Sequence, residues 1–354
     1  MQKLQEIYIN FAISSFGKIE MTKLSKLTGK SHDQFTKSLL LNDSFDNEKR
    51  LWSAIKPFLR DYENLESGCI IVDDMLIHKP YTKVNDAVCW HYDHVSQRME
   101  KGILMLNFHY TDVTGISIPL GYEIITKTKD VWSEEYQKYV KKSLFSKNEI
   151  MQDKLKILHF HNGVKYKYIL FDKWFASTKN LVFIEDILKK KFVCPIKSNR
   201  KIALSQEEKN KGRYVNISTI DMEGSSRLIY LEGYEKPLRL VKQVVKNGDD
   251  GESTYLYLIT NDIDLSFNKV LEIYKRRWKI EEYHKSLKQN LHIEHSPTKV
   301  ELSQRNHINL AVYGFIKLEK LRLNYNMNHF AIKEKIYIEA LKSAYQKVEE
   351  LQVA

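Results

Sequence analysis

Residues 69–74, CIIVDD, place two aspartates directly after a short run of apolar residues. A run of this length predicts a buried strand, and aspartate is a poor strand former. We therefore expect the strand to end at Asp73 and Asp74, with their carboxylates at the edge of a sheet. Capping of the next turn would explain such aspartates equally simply, so the rest of the chain has to distinguish these explanations.

Four further apolar runs predict the rest of this sheet. They are ILMLNFHY (103–110), ISIPLGYEII (116–125), YKYILFD (166–172) and KFVCPI (191–196). Helices are expected over about 133–158 and over 177–190. The order β-β-β-α-β-α-β is that of an RNase H-like core, an α/β fold. Asp172 also follows a buried strand, and ligands of open α/β sheets gather beyond the carboxyl ends of strands.

The other parts of the chain predict helices at both ends and a β-rich interruption of the core. In residues 1–65, two short helices meet at Gly29, with Ser31 as N-cap, in the manner of a helix-turn-helix. The remaining segments are the first part of the core (66–196), a β-rich insertion (197–262), a long helix that completes the core (within 263–300, ending near Asn290) and two C-terminal helices (within 301–354).

The long helix has two distinct stripes if its residues are spaced by about 100°. The polar stripe consists of Tyr274, Arg277, Glu281 and Lys288. The apolar stripe, expected to face the core, consists of Ile273, Ile280 and Leu287. Other basic side chains, among them Arg276 and Lys285, surround the polar stripe and favour an anion such as phosphate. A solvated basic helix with i,i+4 ion pairs is the alternative.

These residues resemble a known family. The pattern Tyr274-x2-Arg277-x3-Glu281-x6-Lys288 is similar to the Y-x2-R-x3-E-x6-K (YREK) signature of bacterial insertion-sequence DDE transposases. IIVDDMLIHK (70–79) resembles the family's first catalytic motif, and YILFDKWFAS (168–177) resembles the second. Met75 stands where threonine is common, which leaves the first carboxylate open between Asp73, the preferred residue, and Asp74.

The resemblance implies a DDE-type transposase that cuts DNA at the ends of its element and joins the 3′ end to target DNA, by cut-and-paste through a hairpin. It implies that Asp73, Asp172 and Glu281 hold Mg²⁺ in a two-metal site, with Mn²⁺ able to substitute. The expected DNA contacts are Tyr274, Arg277 and Lys288, with Lys285 and Arg276 beside them. The insertion has no Trp to support the hairpin, so Tyr230, Tyr234, Tyr255 and Tyr257 are its candidates.

Composition agrees with a polyanionic partner, since 56 Lys+Arg oppose 45 Asp+Glu for a net charge of +11. The partners implied are double-stranded DNA with terminal inverted repeats, target DNA and a second copy of the chain in a paired-end complex. Three scattered cysteines and the absence of a long apolar run predict a cytoplasmic, nucleoid-associated protein without a membrane partner. Trp174 and Trp278 are expected in the core. A non-catalytic, domesticated transposase and a structure-selective nuclease are the alternatives.

Overall fold

A computed structural model describes residues 3–41, 44–93, 96–135, 137–222, 225–246 and 253–353. The strands are β1 (Cys69–His78), β2 (Val88–Asp93), β3 (Arg98–Thr111), β4 (Ile118–Ile124), β5 (Lys129–Ser133), β6 (Lys138–Lys142), β7 (Tyr168–Phe171), β8 (Lys191–Pro195), β9 (Lys201–Ala203), β10 (Val215–Asn216), β11 (Ser226–Leu231), β12 (Leu238–Lys246) and β13 (Ser253–Thr260). The helices are α1 (Lys3–Ser14), α2 (Met21–Thr28), α3 (His32–Ser38), α4 (Ser44–Arg60), α5 (Lys147–Lys156), α6 (Thr178–Val182), α7 (Gln206–Asn210), α8 (Phe267–Lys275), α9 (Trp278–Gln289), α10 (Glu301–Tyr325) and α11 (His329–Val353).

The central sheet contains the strands predicted for the core, and β2 adds to β3 as a strand that was not predicted. β1 pairs antiparallel with β3, and β3 pairs antiparallel with β4. On the other side of β1, β7 and then β8 add in parallel. Parallel neighbours need crossover connections, which α5 and α6 provide, each extended by a π-helical turn. This places the carboxyl ends of β1, β7 and β8 at one edge of the sheet.

The helix expected over about 133–158 is wrong in its first half. β5 and β6 form an antiparallel hairpin there, with Trp132 opposite Tyr139 and Val131 opposite Val140. Aromatic and β-branched residues in cross-strand pairs favour strands over helix. The helix α5 begins only after Ser146, which caps it together with Glu149 in a capping box.

The insertion extends the core sheet instead of forming a separate one. β13 pairs antiparallel with β8, through Ile259 and Cys194. The strands β12, β11, β9 and β10 follow outward in that order. These strands cover the edge strand β8 of the core.

Helices form both terminal regions of the described chain. Gly29 ends α2 with φ of 69°, and Ser31 caps α3 by accepting a hydrogen bond from the backbone N–H of Asp33. Near the C-terminal end of the chain, α10 is buried along much of its length, and Tyr8 of α1 meets its His307 at 2.7 Å. None of the helices in the described ranges is long and apolar enough to span a membrane.

Candidate active site

Asp73 and Asp172 lie together because of the parallel register of β1 and β7. The last parallel pair is Val72 with Phe171, and the next residue of each segment is an aspartate. The prediction that β1 ends at Asp73 is wrong, since β1 continues to His78 along β3. The pairing with β3 satisfies the backbone of β1 beyond the end of β7. Asp73 therefore lies within a strand and still at the open edge beside β7.

Glu281 reaches this edge from α9, whose Ile280 is fully buried. The long helix predicted here is not continuous, because α8 ends at Lys275 and α9 begins at Trp278. Between them the backbone tightens into i→i−3 hydrogen bonds, such as the 2.9 Å bond from Arg277 N–H to the carbonyl of Tyr274. The uniform 100° spacing therefore fails at Arg277, and its position had to come from the structure.

Arg277 lies between the first and third carboxylates. Its Nη2 donates to Glu281 Oε1 at 2.5 Å, and its Nη1 lies 3.7 Å from Asp73 Oδ2. The ring of Tyr274 lies 5.6 Å from the guanidinium carbon. The guanidinium therefore occupies a position at which a cation neutralises two carboxylates.

The surroundings of Asp73 oppose its ionisation. Burial raises the pKa of Asp73 from 3.8 to about 7, repulsion from Asp172 and Asp74 adds to this rise, and Arg277 opposes it. Burial also raises the pKa of Asp172, again with repulsion from Asp74. Two partly buried carboxylates that repel each other attract a divalent cation, because the cation offsets both the cost of burial and the repulsion between the charges.

Asp73 and Asp74 have different neighbours. Asp73 is directly opposite Asn107 of β3 and faces α9. Asp74 forms an ion pair with Lys147 of α5 at 2.5 Å. Adjacent residues of a strand point to opposite faces. Asp73 is thus the aspartate of the pair that faces the helix carrying Glu281.

Asn107 and His284 complete this edge, and sequence reasoning missed Asn107. The amide nitrogen of Asn107 donates to the carbonyl of Met105 at 3.1 Å and lies 3.1 Å from His284 Nε2. Burial lowers the pKa of His284 to about 3, so the ring is neutral. The one available signal was an asparagine in the apolar run 103–110, since a buried amide needs partners.

A cleft of about 860 Å³ opens over Asp73 and Asp172. Its basic lining consists of Lys127, Lys147, Lys285 and Lys288. Lys288 also lies 3.2 Å from Glu294. Glu281 lines a neighbouring cleft of about 820 Å³, and Lys285 borders both. Cationic side chains thus surround the carboxylates.

Two groups of residues depart from the sequence expectations. Arg276 does not face the clefts: it donates to the carbonyl of Ser67 and to Glu272, each at 2.9 Å. Trp174 and Trp278, expected in the core, are 48% and 58% exposed. Trp174 lines the larger cleft and Trp278 the smaller one. The tryptophans therefore add exposed aromatic surface near the carboxylates.

The donor chemistry of this edge fits a hard divalent cation, since Asp73, Asp172 and Glu281 offer only carboxylate oxygens. In the arrangement seen here, however, no group of three or more His, Cys, Asp or Glu side chains among the described residues is assembled for a metal ion. The guanidinium of Arg277 donates to Oε1 of Glu281 and lies beside Asp73, so a cation bound by these carboxylates would share Glu281 with Arg277 or displace it.

Comparison with known proteins supports the transposase resemblance. Residues 146–313 match the family model of the transposase DDE domain. The matched segment contains Asp172 and Glu281, while Asp73 lies before it. No curated protein matches the chain. Among solved structures, the crystal structure of human ENDOV is similar at 10% sequence identity over 68% of this chain and 97% of that chain, with a TM-score of 0.28, which is too low to support an argument.

Proposed function

We propose that the protein is a DDE-type transposase of an insertion sequence, which cleaves DNA at the ends of its element and joins them to target DNA. The observation that carries this proposal is the contact of Arg277 with both Asp73 and Glu281 at the open edge of the sheet, to which the register of β1 and β7 also brings Asp172. The match of residues 146–313 to the transposase DDE domain supports it independently.

The three carboxylates are the proposed ligands of Mg²⁺, with Mn²⁺ as a substitute. When bound, a pair of such ions activates the attacking hydroxyl and stabilises the leaving oxygen. Asp73 supplies the first carboxylate because it faces α9, whereas Asp74 is held by Lys147. Asn107 and His284 restrict the space beside Asp73 and keep that side neutral.

Arg277, Lys285, Lys288 and Tyr274 are the proposed contacts with the DNA backbone. On release from Glu281, the Arg277 guanidinium has two donors for a phosphate, and the two lysines add point charges along the cleft. Arg276 is left out of this set, because Ser67 and Glu272 already accept from it.

In the proposed reaction, a water oxygen attacks the phosphorus at the element's end, and the bond to the 3′ oxygen breaks. That 3′ hydroxyl then attacks a phosphorus of the opposite strand, which forms a hairpin and releases the 3′ oxygen of the flanking DNA. A second water hydrolyses the hairpin phosphodiester and regenerates the 3′ hydroxyl, which finally attacks a phosphorus of the target DNA and displaces a 3′ oxygen there. Among the tyrosine candidates for hairpin support, Tyr234 and Tyr257 are buried. Tyr255 is 47% exposed and is the proposed stacking residue.

Assembly as a homodimer on two DNA ends is part of the proposal, and α11 supports it. An exposed apolar stripe runs along this helix and consists of Tyr337, Ile338, Leu341, Tyr345, Val348 and Leu351. Spacings of three and four residues, as from Ile338 through Leu341 and Tyr345 to Val348, are typical of paired helices. We expect Leu341→Glu to shift the sedimentation of the protein from dimer to monomer. We place its activity at the nucleoid in the cytoplasm.

One observation favours a second candidate, a domesticated transposase that binds DNA without cutting it. Arg277 donates to Glu281 and lies beside Asp73, so the chain itself supplies these carboxylates with a cationic partner. The residues 1–65 and the basic clefts would then serve DNA binding alone.

Cleavage of DNA that carries the element's ends, in Mg²⁺, distinguishes the candidates. We expect the wild type to cut and Glu281→Gln to lose cutting while it still binds the DNA. Glu282→Gln is the matched control, because Glu282 is the next residue of α9 and pairs with Lys279 instead. Equal cutting by Glu281→Gln and the wild type would reject the site, and DNA binding without any cutting by the wild type would favour the second candidate.

A further inference from the structure

The hairpin β5–β6, called here the ribbon (residues 129–142), stands apart from the main sheet. It forms a two-stranded sheet of its own, and none of its described residues belongs to the hydrophobic core. A two-stranded hairpin alone is marginally stable in water. The cross-strand pairs of its side chains therefore distinguish residues that stabilise the hairpin from residues that suit a partner.

One face of the ribbon is explained by its own stability. Trp132 lies opposite Tyr139, with ring centroids 5.3 Å apart in an edge-on arrangement. Asp130 lies opposite Lys141 on this same face. Aromatic and opposite-charge pairs across strands both stabilise a hairpin. We call this the aromatic face.

The opposite face is not explained in that way. Lys129 lies directly opposite Lys142, and Lys138 opposite Ser133, on either side of the pair Val131 and Val140. Like charges directly opposite each other destabilise a sheet. Among the described residues, Lys129 and Lys142 form no ion pair with a carboxylate, and the strands' single acid, Asp130, lies on the aromatic face. This lysine face thus concentrates positive charge at a cost to the ribbon.

The ribbon is fixed at the rim of the larger cleft. Before it, Lys127 donates to the carbonyl of Trp90, and after it Lys147 pairs with Asp74. Both lysines line the cleft that contains Asp73 and Asp172. Within the ribbon, Lys141 lies 3.2 Å from Asp86. The segment that carries the ribbon is therefore held at the cleft on both sides, by Lys127 and by Lys147.

We propose that the lysine face binds the phosphate backbone of the duplex DNA whose scissile phosphate lies in the cleft. The proposal rests on the proposed transposase function and adds a binding surface on the segment between Lys127 and Lys147, which line the cleft together with Lys285 and Lys288 of α9. Phosphate matches this face because a polyanion removes the repulsion between Lys129 and Lys142. The aromatic face then keeps the ribbon folded while the lysines point to the DNA.

The test measures binding of a random-sequence duplex of about three helical turns, in EDTA, over a range of salt concentrations. The double variant Lys129→Gln/Lys142→Gln should weaken binding roughly tenfold at low salt and reduce the slope of log K against log salt by about 1.8, or about 0.9 for each lost phosphate contact. Lys129→Arg/Lys142→Arg should restore the slope. Lys165→Gln/Lys189→Gln is the control, because these lysines precede β7 and β8 at the opposite end of the parallel strands.

The outcomes separate this proposal from the proposed function. If the wild type binds no DNA, the proposed function fails. If the wild type binds DNA and the glutamine variant keeps the same salt slope, the ribbon proposal is overturned. An acidic protein would then be the remaining partner for the lysine face. An equal loss in the control pair overturns it too, because net charge alone would then explain the effect. Resistance of the ribbon to chymotrypsin at Trp132 and Tyr139 shows whether the variant keeps its fold.

Discussion

The carboxylate edge and the ribbon both place like charges side by side, one in a buried setting and the other in water. At the edge, the pKa of Asp73 is raised to about 7, and Arg277 is drawn between the carboxylates. On the ribbon, Lys129 and Lys142 face each other on an exposed hairpin. Burial therefore sets how strongly a group of like charges destabilises the fold. Water screens the repulsion between the exposed lysines but not the repulsion between the buried aspartates.

The largest expected effect comes from Asp73→Asn. Without this carboxylate, metal-dependent cleavage should fall by about 10³-fold. The metal-free protein should at the same time gain about 2–4 kcal/mol of stability near pH 8, since a buried charge is removed. Cleavage assays and urea denaturation in EDTA measure the two effects. A loss of cleavage without any gain in stability would show that the carboxylate is not under strain.

Arg277→Ala tests the same carboxylate edge by removing its positive charge. Removal of the guanidinium leaves Asp73 and Glu281 without their partner, and we expect a loss of about 2–3 kcal/mol in metal-free protein. Added Mg²⁺ should stabilise this variant more than the wild type, because the ion then meets no competitor. Thermal unfolding with and without Mg²⁺ measures this, with exposed Arg227→Ala as control. Equal Mg²⁺ effects in both proteins would contradict competition between arginine and metal.

The pH dependence follows from the raised pKa of Asp73. The unfolded chain loses this proton near pH 3.8 and the folded protein near 7, so the contribution of Asp73 to stability is lost as pH rises between these values. Metal displaces the same proton. Mg²⁺ affinity should therefore rise about tenfold per pH unit below pH 7 and level off above it. Titration calorimetry between about pH 6 and 8 measures this, and a flat profile would exclude Asp73 as a ligand.

The smallest expected effect is that of Trp132→Ala. Loss of the aromatic pair should weaken the ribbon by about 0.5–1.5 kcal/mol and leave global unfolding within about 0.5 kcal/mol of the wild type. Faster tryptic cleavage within residues 129–142 would report this local opening, and Trp174→Ala is the control. A matching fall in the global unfolding midpoint would mean that the ribbon supports the core after all.

Sequence patterns predicted what depends on local order along the chain. The apolar runs predicted the core strands, and Gly29 and Ser31 predicted the boundary between α2 and α3. The spacing of Ile273, Ile280 and Leu287 predicted the buried stripe, and all three are buried. Each of these features follows from periodicity or capping, which nearby residues set by themselves.

Other features depend on partners far away in the sequence. Residues 133–142 of the ribbon fall within a predicted helix. The spacing of residues along one segment does not show that Trp132 and Tyr139 pair across two strands. The sequence predicts Trp174 and Trp278 in the core because both are large and apolar, whereas in the structure each lines a cleft. Asn107 was missed, since its partner His284 lies on α9, far along the chain.

The sequence by itself determined the order of the core elements and the residues worth examining, since strand periodicity and motif spacing are local properties. The tertiary structure decided which of them meet. Only the parallel register of β1 and β7 aligns Asp73 with Asp172, and only the tightened turn before α9 places Arg277 between Asp73 and Glu281. Burial at that edge, with repulsion from Asp172 and Asp74, raises the pKa of Asp73, because desolvation depends on the atoms that other segments bring around a side chain.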